Sequence, residues 1–60
     1  MMWFRVFLYN KEEDSEAEFL VAASDQKAAI KRAHIRKRQI FGVDSPLWEI
    51  ANVTVEVKEV

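Results

Sequence analysis

Residues 24–41 read SDQKAAIKRAHIRKRQIF, and this is the stretch whose composition most clearly favours a helix. Alanine, glutamine, lysine and arginine are good helix formers, and neither glycine nor proline interrupts the run. Ser24 offers a hydroxyl as the N-cap, and Gly42 follows at a position where glycine commonly ends helices. We therefore predict a helix over residues 24–41.

The predicted helix has an apolar stripe and a basic outer face, and it holds six of the nine basic residues of the chain. Spacings of three, four and seven define the stripe, which is Ala29, Ile30, Ala33, Ile40 and Phe41. Lys37 interrupts it. We expect either that the Lys37 ammonium reaches water past its buried methylenes or that the helix loosens before Ile40. The residues of the outer face are Lys27, Lys31, Arg32, Ile35 and Arg38.

Length and composition indicate one small domain over residues 1–60. The chain has no cysteine, so neither a disulfide nor a thiolate metal site supports the fold, which is compatible with a reducing cytoplasm. The N-terminal run MMWFRVFLY is too short to span a membrane, and Arg5 interrupts it. The formal net charge of −1 argues against a wholly electrostatic nucleic-acid binder.

Residues 3–9 are rich in aromatic and β-branched side chains and predict a strand. The alternation puts Phe4, Val6 and Leu8 on one face and Trp3, Arg5, Phe7 and Tyr9 on the other. Both faces are apolar, which favours a central strand. Long neighbouring side chains cover the second face, or else that face is exposed and binds a ligand.

Residues 10–18 contain five carboxylates within seven positions and predict a mobile hairpin loop before a second strand at 19–23. The loop is either a solvated turn or a negative patch that faces a basic partner. The carboxylate spacing matches no calcium loop and lacks its turn glycine, so we predict no metal site.

Residues 42–46 predict a connection, in which Pro46 prevents a helix from continuing. We expect Leu47, Trp48 and Ile50 to cover the end of the core. A last strand is predicted over 51–59, where Val53, Val55 and Val57 alternate with Thr54, Glu56 and Lys58. The alternation of apolar and polar residues is out of step between Ile50 and Val53, which predicts a bulge near Asn52.

These elements predict an α+β fold of the ββαβ type. A right-handed crossover through the helix lays the third strand beside the first, which gives a three-stranded antiparallel sheet in the order 2-1-3. The helix is expected on the face that carries Phe4, Val6, Leu8, Val53, Val55 and Val57. The open face then carries Trp3, Arg5, Phe7, Tyr9, Thr54, Glu56 and Lys58.

The sequence contains no arrangement typical of catalysis. His34 is the single histidine, and Gly42 is the single glycine, so there is no glycine-rich loop to hold a phosphate. We therefore predict a non-enzymatic protein without a cofactor.

Two binding hypotheses follow. In the first, the partner is a protein: the basic helix and acidic loop orient it, while Ile35 and the Trp3, Phe7 and Tyr9 face supply apolar anchors. In the second, the partner is a nucleic acid, with phosphates along the helix or bases stacked on the aromatic face beside Arg5. The two surfaces are expected on opposite sides of the domain. We expect a monomer or a homodimer.

The pattern of strand, acidic turn, FLVAASDQKAAIKRA, glycine turn and WEIANVTVEVKEV resembles short phage-encoded proteins. In particular it is similar to the small phage inhibitors of bacterial RNA polymerase, which share the strand–strand–helix–strand order. The resemblance implies a cytoplasmic protein that binds a host protein or nucleoprotein complex. The helix here is basic where that of the family is more acidic, so no contact residue is carried over.

Overall fold

The computed structural model describes residues 1–57, and they form the elements in the order predicted. Strand β1 (Met2–Asn10) turns into β2 (Ser15–Ala23), and helix α1 (Gln26–Phe41) follows. A 3₁₀ helix (Gly42–Leu47) then leads into β3 (Trp48–Val57).

The three strands form one antiparallel sheet in the order β2-β1-β3, which confirms the predicted α+β fold. Val6 of the central strand lies opposite Phe19 of β2 and Val53 of β3. Directly opposite residues of antiparallel strands point to the same face of the sheet. The two faces predicted for β1 therefore extend across all three strands.

The core lies between one face of this sheet and α1. Phe4, Val6 and Leu8 of β1 are at most 2% exposed, and Ala29 and Ala33 of α1 are completely buried. Alanine side chains at these two positions allow the helix to lie close above the large side chains of the central strand. The remaining buried apolar residues are Val21, Ala23 and Val53.

The helix begins later than predicted, because Asp25 rather than Ser24 is its N-cap. The Asp25 carboxylate accepts a hydrogen bond of 2.8 Å from the backbone N–H of Ala28, and its charge also suits the positive end of the helix dipole. Gly42 ends the helix as predicted. It has a positive φ of 58°, and its N–H donates to the Arg38 carbonyl.

The inner stripe of α1 differs from the prediction, since Ile30 and Ile40 are 40% and 49% exposed. The buried and half-buried positions are instead Ala28 and a row at every fourth residue, which is Ala29, Ala33, Lys37 and Phe41. Residues four positions apart lie nearly above one another on an α-helix. Lys37 therefore stays above the sheet, and the two isoleucines lie at the sides of the helix.

The end of α1 is tied to the start of β3. The Lys37 ammonium donates to the Trp48 carbonyl at 2.8 Å, a partner that the sequence did not indicate. The rings of Phe41 and Trp48 stack at 4.4 Å between centroids, with 12° between their planes. Together these contacts close the core at this end, where Trp48 was predicted to lie.

The acidic segment 10–18 is mostly strand rather than a mobile loop. β2 already begins at Ser15, which leaves a turn of four residues. Buried Asn10 organises this turn, because its side-chain oxygen accepts from the backbone N–H groups of Glu12 and Glu13 at 3.0 and 3.1 Å. The backbone polar groups of the turn therefore have partners close to the core.

Pro46 lies inside the 3₁₀ helix, a short element that the sequence did not predict, and α1 has already ended at Phe41. The fixed φ of proline is compatible with 3₁₀ geometry, although it stops a longer α-helix. β3 consequently starts at Trp48 rather than at position 51. Asn52 and Ile50 pair with the successive β1 residues Phe7 and Leu8, so the register of β3 shifts by one residue between them. This shift confirms the bulge predicted near Asn52.

Only some of the alternating valines of β3 point into the core. Val53 is buried, but Val55 is 50% exposed although its partner Phe4 is buried. Helix α1 begins beside Val53, where the Gln26 side chain contacts its carbonyl, so Val55 lies beyond the cover of the helix. The predictions for the Val57 side chain and for Lys58 lie outside the described residues.

Replacing Ala33 by glutamate tests the packing of α1. The substitution puts a carboxylate in a site with no room and no partner, and we expect a loss of several kcal/mol, enough to unfold so small a domain. His34→Glu makes the same change at the neighbouring exposed position and should leave the melting temperature nearly unchanged. Circular dichroism melts of the two variants make the comparison. An unchanged melt for Ala33→Glu would show that this face of the helix is not inside.

Candidate binding surfaces

The open face of the sheet carries the four residues of β1 that were predicted for it, and each is half-buried. They are Trp3, Arg5, Phe7 and Tyr9. Their side chains alternate along β1 with the buried core residues, so the central strand supplies both the core and an aromatic surface.

Arg5 is held between carboxylates from both neighbouring strands. One guanidinium nitrogen lies 2.6 Å from an oxygen of Glu18 on β2, and the other lies 2.8 Å from an oxygen of Glu56 on β3. The hydrogen bond with Glu56 raises the pKa of Arg5, and the bond from Arg5 lowers the pKa of Glu56. This paired arrangement neutralises the cation that the nucleic-acid hypothesis assigned to the aromatic face.

More carboxylates surround the far end of the aromatic row. Glu16 and Glu49 lie directly opposite Tyr9 on the two flanking strands and therefore share its face. The Tyr9 hydroxyl donates to Asp14 at 2.6 Å, and this bond raises the pKa of the phenol. With Glu18 and Glu56, the open face has four carboxylates against one cation, Arg5, among residues 1–57, so this part of the face is acidic.

The predicted basic face of α1 is exposed along its whole length, and Ile35 among its residues is 51% exposed. Within residues 1–57 the ion pairs are those of Arg5, so none joins Lys27, Lys31, Arg32 or Arg38 to a carboxylate. Arg36 donates to the Gln39 amide at 3.3 Å. The helix thus carries uncompensated positive charge, opposite in sign to the open face of the sheet.

The two surfaces meet at the β2 side of the domain, although they were expected on opposite sides. A cleft of about 600 Å³ there is lined by Trp3 and Leu20 of the sheet and by Arg32, Ile35 and Arg36 of the helix. Leu20 is 42% exposed and lies opposite Arg5. The cleft therefore combines an apolar floor with two guanidinium groups.

Leu20, Arg36, Glu16, Glu18 and Glu49 were not identified from the sequence as residues of these surfaces, whereas Glu56 was predicted on the open face. Glu16 and Glu18 were assigned to a loop, because the acidic composition concealed the period-two alternation Ser15–Ala23. Extending the hairpin register backwards from the second strand would have placed Glu18 beside Phe7 and within reach of Arg5. The contact of Glu56 with Arg5 depends on a bulge in β3, and the sequence gave no comparable signal for it.

Two further features bear on function. In the part of the chain that the structure describes, no helix is both long and apolar enough to cross a membrane. Among the same residues, no three side chains of the metal-binding types lie together.

No protein-family model, curated protein or solved structure matches this chain.

Glu56→Gln tests the Arg5 ion pairs through pH. Because the pKa of Glu56 is lowered in the folded state, its stabilisation is present above the ordinary value of 4.5 and is lost as the pH falls through the folded value. At pH 7 the variant should have a lower melting temperature than the unsubstituted chain. Between about pH 5 and pH 3 its stability should fall less than that of the unsubstituted chain. Glu49→Gln removes a carboxylate from the same face without breaking an ion pair. Identical pH profiles for the two variants would contradict the assignment.

Proposed function

We propose that this chain is a non-enzymatic binding module whose partner is a protein, contacted through the open face of the sheet. The similarity to phage-encoded inhibitors supports a partner in the bacterial host cytoplasm, either a host protein or a nucleoprotein complex. The proposal is carried by one observation, which is the neutralisation of Arg5 on the aromatic face by Glu18 and Glu56.

Aromatic rings can stack on bases or anchor a protein interface, and the charge around them decides between these uses. A phosphate chain that followed Trp3, Phe7 and Tyr9 would pass the face carboxylates, among them Glu16 and Glu49. Among residues 1–57 the one cation it would meet on this face is Arg5, which is already paired. A protein with a basic rim meets favourable charge there and buries the rings. The acidic aromatic face therefore favours a protein partner.

Nucleic acid is a second candidate partner, and it would use α1 instead. The exposed cations Lys27, Lys31, Arg32 and Arg38 have no carboxylate partner within residues 1–57, so they are available for phosphate contacts. Such binding would leave the aromatic rings of the sheet uncovered. The two candidates therefore require different residues and respond differently to salt.

A capture experiment followed by titration distinguishes the candidates. The tagged chain is incubated with bacterial lysate with and without nuclease, and the captured partner is titrated at two salt concentrations. For a protein partner, capture survives nuclease, and Tyr9→Ala weakens binding by more than about 1 kcal/mol because a buried ring is lost. Tyr9→Phe keeps the ring and serves as the control.

The helix variant completes the test. Changing Lys31, Arg32 and Arg38 together to glutamine should mainly slow association with a protein partner. With nucleic acid, each lost phosphate contact would reduce the log–log salt slope by roughly 0.7 to 0.9. A steep slope that this triple variant abolishes, with Tyr9→Ala silent, would overturn the proposal in favour of nucleic acid.

A further inference from the structure

The β2 edge of the sheet is open. β2 hydrogen-bonds to β1 on one side, and within the described residues no strand pairs with its other side. It runs for nine residues in unbroken register, without a bulge or a proline. Alternate residues of such a strand direct both their N–H and their C=O groups outward, which makes it a template for another extended chain.

The opposite edge of the sheet, which β3 forms, differs from the β2 edge. β3 has two register shifts against β1, and side chains hydrogen-bond to three of its backbone groups. Lys37 donates to the Trp48 carbonyl, and the Gln26 amide donates to the Val53 carbonyl at 3.2 Å. The Val53 N–H donates to the side chain of Asn52 at 2.9 Å. Bulges and capped groups of this kind prevent strand addition.

Within residues 1–57, no side chain hydrogen-bonds to the backbone of β2. Instead, the cleft of about 600 Å³ runs beside β2, with Val21 of the strand in its wall. Ile35, between Arg32 and Arg36, forms its helix side, and Trp3 and Leu20 form its sheet side. An added strand lies about 4.8 Å from its neighbour, so its alternate side chains would face these two sides in turn.

We propose that the edge of β2 accepts an extended segment of the partner protein as a fourth strand of the sheet. This inference rests on the proposed function, because it specifies how a protein partner is held. The backbone groups of β2 require a peptide backbone in extended form. Arg32 and Arg36 select carboxylate side chains on the helix side, and Leu20, Trp3 and Ile35 select apolar ones.

A second copy of this chain fits the edge poorly. Antiparallel pairing of two β2 strands about a two-fold axis would put both helices on the same side of the joined sheet. Arg32 and Arg36 of each copy, which line this edge, would then approach the same residues of the other copy. Like charges brought together in this way oppose association, whereas an acidic segment of another protein neutralises them.

Peptide selection tests the proposal without a known partner. The immobilised chain is used to select from a library of random dodecapeptides, and the enriched peptides are added to the ¹⁵N-labelled protein. We expect enriched sequences with alternating apolar residues and glutamate or aspartate. We also expect slowed amide exchange at every second residue of β2, because the outward N–H groups gain acceptors. Binding to the aromatic face alone would not slow those amides.

Two matched pairs of variants measure the roles of the cleft residues. Arg36→Glu should weaken peptide binding severalfold or more, whereas Lys11→Glu, the same charge change in the exposed turn outside the cleft, should have little effect. Ile35→Ala should likewise weaken binding more than Ile30→Ala, which truncates a half-exposed isoleucine on the other flank.

Other results would overturn strand addition. Failure to enrich any peptide, enrichment of lysine-rich peptides, or a concentration-dependent dimer with contacts between β2 strands would each contradict it. Peptides that perturb Phe7 and Tyr9 without protecting β2 amides would also contradict it, while the proposed protein binding would stand. Loss of the lysate partner on nuclease treatment would instead refute the proposed function itself.

Discussion

The contact of Ala29 and Ala33 with Phe4, Val6 and Leu8 is the constraint on which the rest of this structure depends. A chain of 60 residues buries a limited area, and here the large side chains come chiefly from the central strand. At the centre of the core the helix contributes only the methyl groups of Ala29 and Ala33. Its longer side chains lie along the two sides of the helix, and they determine which parts of the sheet are covered.

The helix protects one edge of the sheet and leaves the other accessible. On the β3 side, Lys37 and Gln26 hydrogen-bond to strand carbonyls, and Phe41 stacks on Trp48. On the β2 side, Arg32 and Ile35 remain at the border of a cleft. Small proteins commonly protect both edges of a sheet, because exposed edges promote aggregation. Protection of a single edge is therefore an asymmetry that agrees with the proposed addition of a partner strand at the other edge.

Charge is distributed with a comparable asymmetry. The helix exposes cations without carboxylate partners among the described residues, while the open sheet face carries four carboxylates around a neutralised Arg5. A net charge of −1 conceals this separation. Opposite potentials on two faces orient an approaching partner more than they add affinity. The apolar side chains Leu20, Ile35 and Trp3 line the cleft between them, and in the proposed complex they would supply the buried area.

The sequence by itself determined the order of the elements, the order of the strands and the two faces of β1. These features follow from local signals: alternation in residues 3–9, helix-forming composition in 24–41, and Gly42 at a position that needs a positive φ. The tertiary structure alone decided the register and the contacts that depend on it. Arg5 reaches Glu56 because β3 is shifted by its bulges, and Trp3 shares a cleft with Ile35 because the helix lies at one particular rotation. Periodicity specifies which face a side chain occupies, but it does not specify which residue of another element lies opposite.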